Sequence, residues 1–381
     1  MSAPRDEVLN ALVDICGPDY ARFGRSVDAV AGHRATFVAV PATTRAVSEV
    51  LRLAASSGLS TLARGSGSKL DWGAPRPEVD LLIDTGRLSG MWNHDVAAAT
   101  AEVGTGTPVR ALQAALALHG QRLAADPPSP SATVGGMLAV NESGPLRHRF
   151  GTPAEHVDRV AYVDRAGNPA ESDGENGRPG IAEIDGVITS ALVRLQPLPG
   201  ARRWVTVAVP TPLQITKLAQ AAREAEPSAL EVDLPAAGQL SGTLVALLEG
   251  ETESAVVERA DRLAAQWGAS ASYAPIAPPW WGRYPFDRDE VALRVSANPA
   301  DLPAALYALG DATGGAVPAR GSAGVAAVHA VLPGALEPDR VERIMESVRH
   351  VLMARNGRIV AVSAPTAIAR RIEMAGYREL F

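Results

Sequence analysis

Two stretches rich in small residues are candidates for binding a phosphate-bearing ligand through the backbone. The first, Gly65-Ser66-Gly67-Ser68-Lys69, follows a predicted strand, Ser60–Ala63. Glycine tolerates positive φ and allows a ligand to approach the main chain closely. Successive N–H groups in such a turn form a concave nest for anions. Lys69, one of only two lysines in the chain, would add a positive charge there.

Two other phosphate-binding motifs do not fit this pentapeptide. A P-loop requires Ser or Thr directly after the lysine, and a dinucleotide-binding turn requires a third glycine that opens a helix. Leu70 follows the lysine here, and no helix is predicted after it. A pyrophosphate nest and an ordinary surface turn remain the two interpretations.

The second stretch, ADPPSPSATVGGMLAVNESGP, covers Ala125–Pro145. Its paired glycines permit another backbone or a flat ligand to pack closely, and the hydroxyls of Thr133 and Ser143 can bond to phosphate or ring heteroatoms. A third element, Gly186-Val187-Ile188-Thr189, leads into a predicted strand. These three elements follow one another in this order within the first half of the chain.

The elements that must position these stretches are predicted from apolar periodicity. Thr36–Val40 and Ser60–Ala63 are predicted strands that flank a helix capped by Thr43 and ended by Gly58. After Pro197 and Pro199, strands alternate with amphipathic helices, which indicates an α+β sheet covered on one face. The predicted units are a helical segment over 1–35, a ligand-binding domain over 36–199 and a second domain over 200–381.

Composition limits the classes of function. The chain of 381 residues is 46% hydrophobic and 20% charged, as in folded proteins, and its net charge of −6 argues against nucleic-acid binding. Cys16 is the only cysteine, so the chain alone forms neither a disulfide nor an iron–sulfur cluster. No metal site is predicted from the histidine spacing. Without an evident signal peptide or membrane span, we expect a soluble cytoplasmic protein.

The ordered set RGSGSK, DPP…TVGG…A-x-N-x-SG and GVIT…P-x-P resembles the FAD-binding domain of the vanillyl-alcohol oxidase and p-cresol methylhydroxylase (PCMH) superfamily. Within it, the chain is most similar to FAD-binding E subunits of bacterial glycolate oxidase. The resemblance covers roughly residues 36–200. It implies a PCMH-type FAD-binding domain of two α/β subdomains, followed by an α+β cap or substrate domain with an antiparallel sheet.

The resemblance also implies a cofactor and its binding residues. Relatives that attach flavin covalently usually do so through His or Cys, often in the first loop, which has neither here, so noncovalent FAD is expected. The implied cofactor-binding residues are Arg64, Gly65, Ser66, Gly67, Ser68, Lys69, Asp126, Pro127, Thr133, Gly135, Gly136, Asn141, Ser143, Gly144, Val187 and Ile188.

One departure from the family bears on the cofactor. Relatives carry a long segment before the Gly-Val-Ile-Thr motif that closes over the flavin, whereas Glu171–Asp185 is short, polar and rich in glycine. A shortened segment predicts a less covered cleft. The alternative hypothesis is therefore a flavin-free structural subunit that kept the fold.

The function implied by the resemblance is that of the FAD-binding subunit of a glycolate-oxidase-like 2-hydroxy-acid dehydrogenase, which works beside a second flavoprotein subunit and an iron–sulfur subunit. Such an oxidation needs a base for the hydroxyl proton and a cation for the carboxylate. His148 is the candidate for the base, and Arg294 is the candidate for the cation. The alternative interpretations are that His148 is a solvated loop residue and that Arg294 is an ordinary exposed strand residue. The aromatic residues Trp280, Trp281 and Tyr284 indicate a partner interface or a buried corner at least as well as a substrate pocket.

Overall fold

Local sequence signals determine the first helix of the ligand-binding half. The computed structural model describes residues 5–76, 78–173, 179–236, 241–376 and 380–381. Thr43 accepts the N–H of Ala46 at 3.1 Å and begins the helix Thr44–Ser57, and Gly58 ends it at φ 66°. Its apolar stripe, which includes Val47 and Leu51, is fully buried against the neighbouring strands. The capped helix predicted from the sequence is confirmed.

That helix belongs to a small α/β unit at the start of the chain. Its elements are α1 Arg5–Cys16, β1 Ala21–Phe23, β2 Ala29–Val30, β3 His33–Arg34, β4 Phe37–Ala39, α2 Thr44–Ser57, β5 Thr61–Arg64 and β6 Leu81–Asp84. The sheet order is β1-β4-β6-β5, with β6 parallel to both β4 and β5. The glycine-rich loop therefore leaves the end of edge strand β5.

The next unit is an antiparallel sheet with order β11-β10-β12-β8-β7. Its elements and their connections are β7 Met91–Asp95, β8 Thr100–Gly104, α3 Val109–Ala117, β9 Gln121–Arg122, α4 Val134–Val140, α5 Arg147–Phe150, β10 Val157–Asp164, β11 Pro169–Ser172, β12 Gly186–Arg194 and β13 Gln196–Pro197. Both later motifs of the sequence lie here: the second glycine stretch contains α4, and the third begins β12.

The third unit is a larger antiparallel sheet with order β17-β14-β16-β15-β19-β20-β18-β21. Its elements are β14 Ala201–Val209, α6 Leu213–Ala222, β15 Ala229–Leu234, β16 Gly242–Gly250, α7 Glu253–Trp267, β17 Ser272–Ala274, β18 Val291–Ser296, α8 Leu302–Thr313, β19 Ala319–Ser322, β20 Ala327–Leu332, α9 Pro338–Met353, β21 Arg358–Ser363 and α10 Thr366–Ala369. We call it the cap sheet.

The two faces of the cap sheet differ in what covers them. One face packs on helices α6 to α9 and forms the largest apolar core. The other face meets the first half of the chain: Ala292 of β18 packs with Val140 of α4, and Ala229 of β15 packs with Leu146. Because strand side chains alternate between faces, every second residue of these strands points toward the ligand-binding half.

A buried ion pair also joins the two halves. The guanidinium of Arg122 on β9 donates two 2.7 Å hydrogen bonds to the two carboxylate oxygens of Glu249 on β16, and Arg202 donates a third at 2.9 Å. Bidentate charge-assisted bonds are among the strongest in proteins. The cap sheet is thus tied to the ligand-binding half at a defined register.

Candidate functional site

A cleft of about 310 Å³ lies where the first two units meet. The loop after β5 forms one wall, the start of α4 forms the floor, and the residues that lead into β12 form the other wall. We call it the glycine-lined cleft, after Gly65, Gly67, Gly135, Gly136 and Gly186. Its volume is within the range of small-molecule sites.

The loop presents free backbone donors to this cleft. No hydrogen bond within the described residues uses the N–H groups of Ser66, Gly67 or Ser68. Gly67 has φ +77°, which favours glycine, and a Cβ on Gly65 would collide with the side chain of Thr133. Unbonded N–H groups on a tight turn are the donor set that an anionic pyrophosphate requires. The residues present therefore fit the FAD that the sequence motifs imply.

Helix α4 forms the floor of the cleft and was not predicted from the sequence. Thr133 accepts the N–H of Gly136 at 3.2 Å as its N-cap, and Asn141 ends the helix at φ 54°. Two adjacent glycines obscured the helical pattern, but the threonine and asparagine at its ends are recognisable capping residues. A Cβ on Gly135 would lie 2.6 Å from Thr105 Cβ, whereas position 136 is exposed to the cleft.

The structure brings together eleven of the sixteen residues implied as cofactor-binding. They line the glycine-lined cleft and are Arg64, Gly65, Ser66, Gly67, Ser68, Lys69, Thr133, Gly135, Gly136, Val187 and Ile188. Their role in binding FAD stays a prediction. The short segment before Gly186 also contributes to this cleft through Ile181, Ala182, Ile184 and Asp185; residues 174–178 of that segment lie outside the described residues.

The other five residues lie elsewhere. Asn141 accepts the N–H of Ala154 through its side chain at 3.0 Å. Asp126 accepts the N–H of Leu146 at 3.0 Å, and burial raises the pKa of Asp126 to about 7. Pro127, Ser143 and Gly144 also lie outside the glycine-lined cleft. Ser143 and Gly144 line a second cavity.

The charged side chains at both ends of the loop have protein partners. Lys69 Nζ lies 2.6 Å from Glu142 Oε1 and also donates to Ser129. Burial lowers the pKa of Lys69, and the Glu142 carboxylate opposes that shift. Arg64 pairs with Asp28 and Asp84, each at 2.8 Å. The two cations of the loop are therefore paired within the protein, and the loop offers its unbonded backbone N–H groups to the cleft.

A second cavity of about 50 Å³ lies between the ligand-binding half and the cap sheet. Arg147, Ser143 and Gly144 line it from one side, and Arg294 and His329 line it from the other. We call it the inter-domain cavity. Arg294 is 9% exposed and forms no ion pair within the described part of the chain. Burial and the nearby charge of Arg147 lower the pKa of Arg294 to about 10.

Two further titratable side chains of the cap sheet line the inter-domain cavity, and sequence reasoning missed both. His329 Nε2 and Glu231 Oε1 are buried and have no hydrogen-bond partner among the described residues. Burial lowers the pKa of His329 to about 3, with Arg294 and Lys69 contributing. Burial, with Asp126 contributing, raises the pKa of Glu231 well above its ordinary value. Polar residues at alternate positions of otherwise apolar strands were the available signal.

A hydrogen-bonded cluster around Glu142 connects the glycine-rich loop to the cap. Glu142 is 1% exposed, and its Oε1 accepts from Tyr284 Oη at 2.8 Å and from the Ser129 N–H at 3.0 Å, besides pairing with Lys69. The Lys69 amine also lies 4.8 Å from the centre of the Trp72 ring. Residues of the loop and of the cap thus meet on a single carboxylate oxygen.

His148 lies away from both sites, whereas the aromatic candidates Trp280 and Tyr284 line the inter-domain cavity. His148 lines a third cavity with Arg223 and packs against Gly324, so the structure does not bring it together with Arg294. Trp281 packs on Trp204, and Tyr284 packs on neighbouring rings beside Glu142. Trp280, Trp281 and Tyr284 are half-buried residues of the cap itself, and a role for them in a partner interface stays a prediction.

Two features are absent from the described residues: a metal-binding cluster and a membrane-spanning helix. No group of three or more His, Cys, Asp or Glu side chains is arranged to hold a metal ion there. No helix in the same part of the chain has the length and apolar character needed to cross a membrane.

The sequence of this chain is similar to flavin-dependent proteins. Residues 35–171 match a family of FAD-binding domains. The chain is 28% identical over 294 residues to a D-lactate dehydrogenase of Archaeoglobus fulgidus, covering 70% of this chain and 66% of that protein. It is 31% identical over 133 residues to glycolate oxidase subunit GlcE of Escherichia coli K12, covering 34% and 37%. The matches span less than two thirds of these relatives.

Solved structures are similar over most of the fold. An alkyldihydroxyacetonephosphate synthase superposes with a TM-score of 0.71 at 17% identity, covering 93% of this chain and 80% of the other. A p-cresol methylhydroxylase superposes with a TM-score of 0.70 at 13% identity, covering 91% and 86%. The fold predicted from the motifs, a PCMH-type domain followed by an antiparallel cap, is confirmed.

Residues 35–171 therefore form an FAD-binding domain within a chain of PCMH-type fold, and FAD is its cofactor. The residues that line the glycine-lined cleft include neither histidine nor cysteine, in agreement with noncovalent binding. The flavin-free alternative is set aside, because the matched domain and the unbonded donors of the loop are both present.

Proposed function

We propose that this chain is the FAD-binding subunit of a glycolate-oxidase-like dehydrogenase that oxidises a small 2-hydroxy acid. The observation that carries the proposal is Arg294, a buried guanidinium that lines the inter-domain cavity with no acidic partner in the described chain. Leaving a buried charge unpaired is costly, so such sites are expected to bind an ion of opposite charge. A carboxylate is the planar anion that a guanidinium binds best.

The size and charge of the cavity support a small carboxylic acid. Its volume of about 50 Å³ admits a molecule of a few heavy atoms. Arg147 adds a second positive charge from the opposite wall, and Arg320, which also lines the cavity, is already paired with Asp233 at 2.8 Å. Burial raises the pKa of Glu231 well above its ordinary value, which disfavours a negative charge on that side chain. A monocarboxylate therefore enters a cavity that is electrostatically favourable to it.

The chemistry divides between cofactor and protein. FAD, when bound, supplies the acceptor for the hydride of the substrate carbon. The side chains of the cavity bind the carboxylate and, by enclosing the substrate, exclude water from it. Similarity to a D-lactate dehydrogenase and to a glycolate oxidase subunit supports this assignment over other flavin reactions.

The partners belong to the same proposal. Electrons must leave the reduced flavin, and this chain has a single cysteine with which to ligate a cluster. We therefore place the chain in a cytoplasmic complex with a glycolate-oxidase-like flavoprotein and an iron–sulfur protein. The similarity to a glycolate oxidase subunit supports this assembly. Recovery of neither partner in a pull-down from native extract would argue against it.

The experiment follows a single turnover, which requires no partner. The FAD-loaded protein is mixed anaerobically with glycolate or D-lactate, and flavin bleaching is recorded against substrate concentration. Arg294→Met should raise the half-saturating concentration by about 10- to 100-fold, the loss of a charge-assisted bond. Arg223→Met, a change of an exposed arginine in the third cavity, should leave it unaltered. Equal bleaching curves for wild type and Arg294→Met would overturn the proposal.

A further inference from the structure

Arg294 and His329 are direct neighbours across two adjacent strands of the cap sheet. They face each other in the register of β18 and β20, so their side chains emerge from the same face of the sheet. Both line the inter-domain cavity. The flanking residues Leu293, Val295 and Val328 point the other way, into the core under the helices. The pleat thus places one guanidinium and one imidazole side by side.

The imidazole is unsatisfied where it lies. Its Nε2 is buried without a hydrogen-bond partner among the described residues, while the ring packs at 5.3 Å from Tyr284 and 5.8 Å from Phe286. A buried nitrogen without a partner costs about 1–3 kcal/mol. A leucine would fill this apolar surrounding at no such cost. The nitrogen is therefore expected to gain its partner from a ligand.

We propose that His329 accepts the hydroxyl hydrogen of the substrate while Arg294 binds its carboxylate. This inference rests on the proposed function, and it names the residue that distinguishes a 2-hydroxy acid from a plain acid. The carboxylate and hydroxyl of a 2-hydroxy acid are on adjacent carbons, which matches two side chains on neighbouring strands. In the oxidation, the hydroxyl proton passes to Nε2 as the hydride of the same carbon passes to FAD, giving the 2-oxo acid.

The surrounding charges make proton uptake depend on the bound acid. The cationic groups near His329 are Arg294 on β18, Lys69 of the loop and the paired Arg320 on β19. Glu231 on β15 and Tyr284 line the same cavity, and burial raises the pKa of both, which disfavours a negative charge on either. A substrate carboxylate on Arg294 offsets one cation and raises the proton affinity of His329. The substrate thereby prepares its own acceptor.

The test measures binding rather than turnover. The FAD-loaded protein is photoreduced anaerobically so that it cannot oxidise its ligand, and the affinities for labelled glycolate and acetate are measured by equilibrium dialysis. Acetate lacks only the hydroxyl. The wild type should prefer glycolate by about tenfold or more, since a site built to bond a hydroxyl rejects the analogue without it. His329→Leu should abolish that preference and keep acetate binding.

Matched variants separate the possible outcomes. Arg294→Met should weaken both ligands together, and His148→Leu, a histidine outside the cavity, should keep the wild-type ratio. His329→Leu should unfold at the same temperature as the wild type or a higher one, because it removes an unsatisfied buried nitrogen. His329→Phe repeats the test with an apolar ring should the leucine variant fail to fold.

The two proposals fail in different ways. A glycolate preference that survives in a folded His329→Leu or His329→Phe variant would overturn the role of His329 and leave the carboxylate site on Arg294 intact. A wild-type protein that binds neither glycolate nor acetate would overturn the proposed function itself.

Discussion

The glycine-lined cleft and the inter-domain cavity are built in opposite ways. The cleft offers backbone N–H groups and glycines from contiguous stretches, and the cations at its loop are paired within the protein. The cavity offers the buried side chains of Arg294, His329 and Glu231 from separate strands, two of them with unpartnered polar atoms. A cofactor that stays bound can be held by backbone, whereas a substrate that must give up a proton requires a side chain that can accept it.

The largest expected effect concerns the buried ion pair between Lys69 of the glycine-rich loop and Glu142. Lys69→Met leaves Glu142 as an uncompensated buried charge, which should lower the free energy of unfolding by about 3–5 kcal/mol. The double variant Lys69→Met/Glu142→Gln removes both charges and should recover much of that loss. Urea denaturation of the three proteins measures the difference. Equal stability of the wild type and Lys69→Met would show that the ion pair between Lys69 and Glu142 does not stabilise the fold.

Next in size is a change that fills the cleft and leaves the cavity untouched. Gly136→Val projects a side chain into the cleft, where its Cβ meets only Thr133 Oγ1, at 3.1 Å, and should weaken FAD binding by about 100-fold. Gly135→Val instead collides with Thr105 and should lower the melting temperature as well. Flavin fluorescence titration and thermal denaturation distinguish the two. An unchanged FAD affinity in Gly136→Val would place the cofactor elsewhere.

The effect on stability per pH unit is smaller for the buried carboxyl of Asp126, which accepts the N–H of Leu146. Asp126 has a pKa of about 7 in the folded protein and 3.8 as its ordinary value, so the folded state retains a proton that the unfolded state loses between these pH values. Its contribution to stability should therefore decrease by about 1.4 kcal/mol per pH unit from pH 4 to 7 and level off above pH 7. Asp126→Asn should remove this slope in urea denaturation. A parallel pH profile for both proteins would contradict the assignment.

The smallest predicted effect compares two threonine caps. Thr43→Ala and Thr133→Ala each remove a side-chain acceptor at a helix start and should each lower stability by about 1 kcal/mol. Only Thr133 lines the glycine-lined cleft, so only Thr133→Ala should also change the FAD affinity. The same FAD affinity in both variants would mean that the Thr133 side chain serves the helix alone.

Local sequence determined the cleft because its parts are local. Helix α2 with Thr43 and Gly58 at its ends, and the free loop after β5, form from neighbours in the chain, so their residue types predict their structure. Helix α4 escaped notice because glycine pairs are poor helix formers in isolation and its burial against other elements stabilises it.

The side chains of the inter-domain cavity were beyond the reach of sequence alone. Arg294 was a candidate because of its predicted strand and the family resemblance. Nothing in the sequence predicted that His329 lies opposite it or that Lys69 pairs with Glu142. Strand register and the docking of the cap on α4 determined these contacts. Backbone conformation follows from nearby residues, whereas the partner of a buried charge depends on which distant segment the folded chain brings beside it.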